Sequence, residues 1–262
     1  ELYLEGMNND GYLKLFKTDG TTITQVSDTN PSGSDTPSDF AIYQNELYFR
    51  SENMAGHSKL FKLNQEGISQ VSDINSKQHD APEFLQVFNG ELYFSAYVES
   101  MGNKLFKTDG KMISQVVNIN SGNDEPSDLK VFKNNLYFVA INEQGYRKLF
   151  KTDGTKVNQV SNIRQGSDFA VDYRNKKSHL VEYKGELYFV AKNASNGFKI
   201  YKTDGVGISQ VSNINEKHPQ INPTGSDFPF NLMEYNGDLF FSAYSNQVGL
   251  KMFKLKSEPT TK

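Results

Sequence analysis

The 262-residue sequence contains no cysteine, no tryptophan and no long apolar run. Without cysteine the chain can have neither disulfide bonds nor thiolate metal sites, although this does not decide its compartment. No stretch reaches the roughly 18 apolar residues of a membrane-spanning helix, so we expect no membrane span. The chain begins at Glu1 inside a repeat, without Met or a signal-like segment, which predicts a processed or partial chain.

Excess charge of either sign is also missing. The formal net charge is −3 and the isoelectric point is near 5.9. Affinity for nucleic acids comes largely from clustered Lys and Arg, so this balance argues against a nucleic-acid partner. The apolar fraction is 36%, and 19 Phe and 14 Tyr supply the aromatic side chains. We therefore expect an aromatic core that neighbouring units share.

A repeat of 44 to 52 residues runs through the whole chain. A Leu-Tyr-Phe element opens each of six copies, which start near Glu1, Glu46, Glu91, Asn135, Glu186 and Asp238. Leu-Phe-Lys follows in the same register, and Gln-Val follows in the first five copies. Periods of this size indicate a solenoid, a propeller or an array.

Each full repeat contains four short stretches that predict β-strands, which we name A, B, C and D. Strand B is the Leu-Tyr-Phe element, strand A is the alternating run before it, strand C contains Leu-Phe-Lys, and strand D contains Gln-Val. Asn89-Gly90 joins strands A and B of one repeat, and Asp109-Gly110 joins its strands C and D. Such dipeptides provide the positive φ that tight hairpins require. The prediction is a repeating four-stranded antiparallel unit.

We therefore predict an all-β fold, a β-propeller of four-stranded antiparallel blades that forms one domain over residues 1–262. The first repeat lacks strand A and the last lacks strand D, which predicts 22 strands. Six blades is the favoured count, because five would leave a hairpin with an exposed edge. A ring with more than six blades, of which this chain would be a truncated part, is also left open. A β-sandwich would not require four strands to repeat in one order with matching turns.

The frame of strands B, C and D resembles a known repeat. The stretches 14–21 and 148–155 both read Lys-Leu-Phe-Lys-Thr-Asp-Gly-Thr, and this is similar to the ELWxxDGT repeat of bacterial secreted and surface proteins. Phe or Tyr replaces the Trp of that repeat throughout, and the second and sixth copies lack Asp-Gly. The resemblance covers the whole chain and implies an extracellular, propeller-like protein without known catalytic residues.

An aspartate recurs in the polar connections between strand D and the next strand A. These candidate ligand-binding residues are Asp35, Asp80, Asp124, Asp168 and Asp227. A carboxylate there could accept hydrogen bonds from sugar hydroxyls or contribute to a Ca²⁺ site, although the spacing does not match an EF-hand. The alternative is structural, since aspartate often caps its own turn.

Aromatic residues beside these loops are the second set of candidates. Tyr12, Tyr97, Tyr146, Phe198 and Tyr244 could stack on the apolar face of a sugar. Equally, they could shield the ends of strands B and C. Met54-Ala55 interrupts a strict six-fold pattern.

No local motif for catalysis is present. The four histidines are separated in sequence, and neither a Gly-x-Ser-x-Gly elbow nor a phosphate-binding Gly-Lys loop occurs. We therefore predict no enzyme activity, and an enzyme with a site on the ring axis is the less favoured reading. The longer fourth D–A loop, 164–178, and the fifth, 215–228, would hold a unique site if one exists, although a tolerated surface insertion explains the longer loop as well.

Loops on a rigid scaffold are where binding is usually located. Together with the extracellular location that the resemblance implies, this predicts a secreted or surface binding protein, a multivalent lectin-like propeller that uses the face of the B–C and D–A loops. Similar weak sites would gain avidity on a multivalent glycan or glycoprotein. The alternative is a protein-interaction or structural scaffold in a surface assembly. No cofactor is expected apart from the weak case for Ca²⁺.

Overall fold

The computed structural model describes residues 1–170 and 180–255. In these residues 22 β-strands form six antiparallel sheets, and no helix is present. The all-β prediction and the number of strands are confirmed. The chain divides into two compact units, Glu1–Ser127 and Asp128–Lys262. No helix long and apolar enough to cross a bilayer occurs in the described part of the chain.

The first unit contains sheets 1 to 3. Sheet 1 has three strands, β1 (Leu2–Met7), β2 (Leu13–Thr18) and β3 (Ile23–Gln25). Sheet 2 has four, β4 (Ser38–Tyr43), β5 (Glu46–Glu52), β6 (Ser58–Asn64) and β7 (Gly67–Gln70). Sheet 3 also has four, β8 (Glu83–Phe88), β9 (Glu91–Val98), β10 (Gly102–Thr108) and β11 (Ile113–Val117). Each strand pairs with the next in the chain.

The second unit contains sheets 4 to 6, except that the first strand of sheet 4 begins at Ser127. Sheet 4 has four strands, β12 (Ser127–Phe132), β13 (Asn135–Ile141), β14 (Arg147–Thr152) and β15 (Val157–Gln159). Sheet 5 has four, β16 (Val181–Tyr183), β17 (Glu186–Lys192), β18 (Phe198–Thr203) and β19 (Ile208–Gln210). Sheet 6 has three, β20 (Phe230–Tyr235), β21 (Asp238–Ser245) and β22 (Gly249–Lys254).

The predicted turns set the register of these sheets. At Asn89-Gly90 both residues have positive φ, 48° and 76°, and the flanking Phe88 and Glu91 are paired. This is the conformation that a two-residue hairpin with the right-handed strand twist requires. Gly110, in the following C–D turn, has a φ of 92°. The prediction that these glycines supply positive φ is confirmed.

Within each unit the sheets pack face to face through the alternating residues of their inner strands. Leu15 of sheet 1 packs with Leu47, Phe49 and Phe61 of sheet 2. A sheet with a neighbour on each side packs on the preceding sheet with one face of its strands B and C and on the following sheet with the other face, as sheet 5 does. Three further clusters of the same kind join neighbouring sheets. Between sheets 2 and 3, Tyr43, Tyr48 and Leu60 pack against Leu92, Phe94 and Phe106. Between sheets 4 and 5, Phe132 and Tyr137 pack against Phe189 and Tyr201, and between sheets 5 and 6, Tyr183 and Ile200 pack against Leu239 and Phe241.

Paired aromatic rings bridge strands B and C in five sheets. Their centroids lie 5.7–6.2 Å apart, in Phe49–Phe61, Phe94–Phe106, Phe138–Phe150, Phe189–Tyr201 and Phe241–Phe253. Such pairs contribute about 0.5–1.5 kcal/mol beyond the area they bury. The expected sharing of an aromatic core between neighbouring sheets is therefore found within each unit.

Because each sheet runs up and down in sequence order, its A–B and C–D turns lie at one end. The B–C loops and the D–A connections lie at the other, which we name the loop end.

Candidate binding face

A buried lysine holds each D–A connection at the loop end. Lys14 on β2 donates from Nζ to Asp28 Oδ1 (2.8 Å), the Asn30 carbonyl (2.9 Å) and Asp35 Oδ1 (3.0 Å). These three acceptors use all three donors of the ammonium group. Burial alone would lower the pKa of Lys14, but the hydrogen bonds that it donates to the Asp28 and Asp35 carboxylates raise this pKa instead. The lysine is therefore held in its charged form.

The same lysine–aspartate pair recurs in four more loops. The Nζ to Oδ1 distances are 3.1, 3.0, 3.0 and 2.9 Å in the pairs Lys59–Asp80, Lys104–Asp124, Lys148–Asp168 and Lys199–Asp227. All five aspartates are at most 1% exposed. Buried charges are stable in proteins only when they are paired and hydrogen-bonded, and here both conditions are met.

In four of the loops the second carboxylate oxygen of the aspartate binds a serine that lies two residues after the end of strand D. Ser72 Oγ donates to Asp80 Oδ2 at 2.7 Å, and the same bond forms from Ser27, Ser161 and Ser212. The third loop differs, because Val117 stands at the position of the serine and strand β10 has a register shift between Leu105 and Phe106. Asp124 keeps the bonds from the backbone nitrogens of Ile119 and Asn120, which match those from Ile74 and Asn75 to Asp80.

The aspartate backbone joins consecutive sheets of one unit. Asp35 N donates to the Leu13 carbonyl of sheet 1 at 2.8 Å, and Glu52 N of sheet 2 donates to the Asp35 carbonyl at 2.7 Å. Tyr97, Lys192 and Tyr244 stand where Glu52 stands and make the equivalent bond to their own aspartates. These four aspartates, Asp35, Asp80, Asp168 and Asp227, therefore fix the loop and the sheet that follows.

These contacts correct the interpretation of the five aspartates as ligand-binding groups. Asp35, Asp80, Asp124, Asp168 and Asp227 are buried, and their carboxylates are occupied by lysine, serine and backbone donors. A sugar or a Ca²⁺ ion could not reach them without displacing the lysine. The structural alternative, in which the aspartate organises its own turn, describes them better.

The lysines of this arrangement escaped sequence reasoning. Strand C carries two lysines in Lys-Leu-Phe-Lys, and the second is partly exposed, as in sheet 2, where Lys62 binds Glu46 at 2.9 Å. The first is buried. A signal was present, because this first lysine occurs in all five repeats that also have the loop aspartate.

The aromatic candidates fall into three structural positions, so they are not one equivalent set. Tyr12 and Tyr146 stand two residues before the buried lysine of strand C, and Phe198 stands one residue before it. Tyr97 and Tyr244 lie near the ends of strands β9 and β21. All five are at least partly exposed. The structure therefore keeps them accessible but does not bring them together as repeated pockets.

Two histidines that are distant in sequence meet at the loop end of sheet 2. The rings of His57 and His79 have centroids 5.5 Å apart. Ser58 N donates to His79 Nδ1 at 3.0 Å. At the equivalent position of sheet 4, Arg147 N donates to Ser167 Oγ. His79 thus has a structural role. In residues 1–170 and 180–255 no group of three or more His, Cys, Asp or Glu side chains could hold a metal ion.

A cleft of about 590 Å³ lies in the second unit between sheets 4 and 5. Its polar lining consists of Asn162, Asn193, Ser195, Tyr201 and Gln210, and its apolar lining of Val160, Ile163, Ala194, Val206 and Ile208. No lining residue carries a charge. Asn193 and Ser195 come from the B–C loop of sheet 5, where Asn193 Oδ1 accepts from the backbone nitrogens of Ser195 and Gly197.

Tyr201 gives this cleft a feature that other sheets lack. Its hydroxyl donates to Gln210 Oε1 at 3.3 Å, whereas the equivalent residue is Phe in each of the other five repeats. Burial raises the pKa of the Tyr201 hydroxyl, and the nearby Asp168 adds to the effect. The hydroxyl therefore stays protonated, and Gln210 Oε1 accepts its only proton.

The two loops expected to hold a unique site differ in what the structure describes. Of loop 164–178, residues from 171 onward lie outside the described residues, while Phe169 packs into the core on Phe189 at 5.7 Å. In loop 215–228, His218 and Asn222 form a β-bridge. Thr224 of this loop lies so close to Gly197 that a Cβ there would be 2.5 Å from its carbonyl oxygen. The fifth loop therefore packs directly on the B–C loop of sheet 5.

No family model matches the chain, and no curated protein matches it in sequence. Solved structures do share its fold. A puromycin-hydrolyzing peptidase from Mycobacterium tuberculosis is 9% identical with a TM-score of 0.63, and the match covers 100% of this chain and 43% of that one. The β-propeller domain of the Trilobed protease from Pyrococcus furiosus is 7% identical with a TM-score of 0.54, covering 97% and 81%.

A puromycin hydrolase matches at 9% identity and a TM-score of 0.56, covering 91% of this chain and 40% of its own. The chain thus spans about two fifths of the length of these two peptidases. At such low identity the likeness concerns the fold alone, which is propeller-like.

Proposed function

We propose that the six sheets are the blades of one propeller domain over residues 1–262, and that this domain binds a carbohydrate without catalysing a reaction. The repeat, the up-and-down order of every sheet and the likeness to propeller domains support the architecture. The two three-stranded sheets would be its incomplete first and last blades.

The neutral cleft between sheets 4 and 5 carries the functional part of the proposal. Its lining offers amide and hydroxyl groups from Asn162, Asn193, Ser195, Tyr201 and Gln210 beside aliphatic walls. Sugars present the same combination of hydroxyls and apolar C–H faces, and small-molecule sites commonly combine an apolar lining with a few placed polar groups. A phosphate or a metal ion would require charges that this lining lacks.

The ligand would be a glycan or glycoprotein outside the cell, as the resemblance to secreted repeat proteins implies. Weaker sites at other loops, including those beside Tyr12, Tyr97, Tyr146 and Tyr244, would add avidity on a multivalent ligand. Detection of the native protein at the cell surface or in the culture medium tests the location; recovery only from the cell interior would contradict it.

A protein-interaction scaffold is the second candidate, and one observation favours it. Sheet 6 exposes several large apolar side chains, among them Met233, Tyr235, Leu250 and Met252. Exposed apolar patches often mark protein interaction sites. A single tight macromolecular partner, with no glycan bound, would favour this function over the first.

The test is a glycan-array screen of the purified chain with and without EDTA, followed by titration of any hit. Tyr201→Phe should weaken binding by about two- to tenfold, because one neutral hydrogen bond contributes about 0.5–1.5 kcal/mol. Five repeats carry Phe at this position, so the variant should fold. Tyr235→Phe, which removes an exposed hydroxyl outside the cleft, should leave binding unchanged.

Silence across the array would refute carbohydrate binding. Binding that Tyr201→Phe leaves unchanged would remove the cleft from the proposal. Loss of binding with EDTA would show that a metal ion takes part.

A further inference from the structure

The loop end of sheet 5 has a second feature on the side opposite the cleft. Phe198, the first residue of β18, packs with Phe228 of the fifth D–A loop, with centroids 6.1 Å apart. Lys192, the last residue of β17, is the register partner of Phe198, and its Nζ lies 5.3 Å from the centre of that ring. Two aromatic rings and one ammonium group therefore form a single surface cluster.

Burial in the core does not explain the position of Phe228. It is 51% exposed and has a φ of 45°, a backbone conformation that is costly for a bulky residue. The residues at the same place after the loop aspartate are Thr36, Ala81 and Glu125, with φ values of 44–45°. In sheet 4 the equivalent Phe169 is 6% exposed and lies in the core. An exposed phenylalanine is thus a property of this one loop.

Lys192 is equally particular to sheet 5. Glu52, Tyr97 and Tyr244 occupy its position in other sheets, as their backbone bonds to the loop aspartates show. Among the described residues no carboxylate lies within ion-pair distance of Lys192, in contrast to Lys14, Lys59 and Lys62 of strand C. Its ammonium group is therefore held beside an aromatic ring and remains able to bind an anion.

The cluster adjoins the cleft through the chain itself. Asn193, which lines the cleft, directly follows Lys192, and the loop 193–197 connects Lys192 to Phe198. The hydrogen bond from Asn193 N to the Gly197 carbonyl, at 2.9 Å, closes this loop. A ligand longer than one sugar residue could contact the cleft and the cluster over the rim of this short loop.

We infer that Lys192, Phe198 and Phe228 form a subsite for an acidic sugar, so that the ligand is a glycan with carboxylated residues. This inference rests on the proposed function. The apolar face of the sugar would stack on Phe228, and its carboxylate would pair with Lys192. An aromatic ring and a cation side by side match the two chemical faces of a uronic acid, whereas the neutral cleft matches an uncharged sugar.

Galacturonate tetramers and their fully methyl-esterified form are the matched probes, because esterification removes the charge and keeps the sugar. The wild-type chain should bind the acid about fivefold more tightly than the ester, since a partly exposed ion pair contributes up to about 1 kcal/mol. Added salt should reduce the preference. Lys192→Met should abolish the preference and leave binding of the ester unchanged.

Two further variants separate the contributions. Phe228→Thr, which copies Thr36 of the first loop and should therefore fold, is expected to weaken the acid and the ester alike. Lys251→Met removes the same charge from an exposed lysine of sheet 6 and should not change the preference.

The outcomes distinguish the two proposals. Suppose that Tyr201→Phe weakens the binding of neutral glycans, but that the acid and the ester bind with equal affinity to the wild-type chain and to Lys192→Met. The subsite is then refuted, while the cleft remains the proposed binding site. If no glycan binds, the proposed function fails and the subsite with it. Loss of ester binding in Lys192→Met would also contradict the assignment, because it would show a structural role for the lysine.

Discussion

Replacing one buried lysine tests whether the lysine–aspartate pairs hold the loop end together. In Lys59→Met the ammonium group is lost, while Asp80 stays fully buried. Asp80 would keep Ser72 Oγ at 2.7 Å, Asn75 N at 2.7 Å and Ile74 N at 3.1 Å as donors. Its charge, however, would have no counter-ion in a poorly solvated place.

Removing one partner of a buried ion pair typically costs about 3–5 kcal/mol. Because three neutral donors remain on Asp80, we expect the lower end of this range, about 3 kcal/mol. The sequence provides a matched control in Lys251, which holds the same place in the Lys-x-Phe-Lys stretch of sheet 6 and is exposed. Surface substitutions usually change stability by no more than about 0.5 kcal/mol, so Lys251→Met should be nearly neutral.

The double variant Lys59→Met/Asp80→Asn completes the cycle. It removes both charges, so its loss of stability should be smaller than the sum of the two single losses, as expected for directly coupled residues. Urea unfolding followed by far-UV circular dichroism and by tyrosine fluorescence suits a chain with 14 Tyr and no Trp. Agreement of the two probes is needed before a free energy of unfolding is derived. A loss in Lys59→Met within 1 kcal/mol of that in Lys251→Met would refute the reasoning.

Two further predictions concern turns and loop contacts. Hydrogen bonds from the backbone nitrogens of Lys156 and Thr155 and from the Thr155 hydroxyl lower the pKa of Asp153 from 3.8 to about 2. The resulting stabilisation should be present above pH about 4 and lost as the pH falls towards 2. The difference in melting temperature between wild type and Asp153→Ala should therefore shrink over that interval. A constant difference would contradict the assignment. Gly197→Ala should lower the melting temperature, because its Cβ would lie 2.5 Å from the Thr224 carbonyl oxygen, whereas Gly207→Ala, with nothing within 4 Å, should not. Equal effects of the two glycine variants would show that the loops do not pack as described.

The strands and their turns could be predicted from local patterns in the sequence. Strand alternation and dipeptides such as Asn89-Gly90 act over a few residues, so they can be read locally, and they placed the 22 strands in four-stranded order. The aspartates were also recognised as a recurring feature of the D–A loops. Their environment was not, because the burial of Asp80 depends on Lys59 of β6 and on Ser72, which follows β7, and both are distant from Asp80 in the repeat.

Which of the two lysines of strand C is buried in the first five sheets depends on tertiary packing, and so does the structural role of the aspartates. The aromatic residues show the same limit, since exposure separates Phe228 from Phe169 although both follow a loop aspartate. The cleft likewise combines side chains of sheets 4 and 5, including Val160 and Tyr201, that are about 40 residues apart in the chain. Local patterns define the repeat, but a site arises where residues of different repeats differ and meet, and that depends on the packing of one sheet against the next.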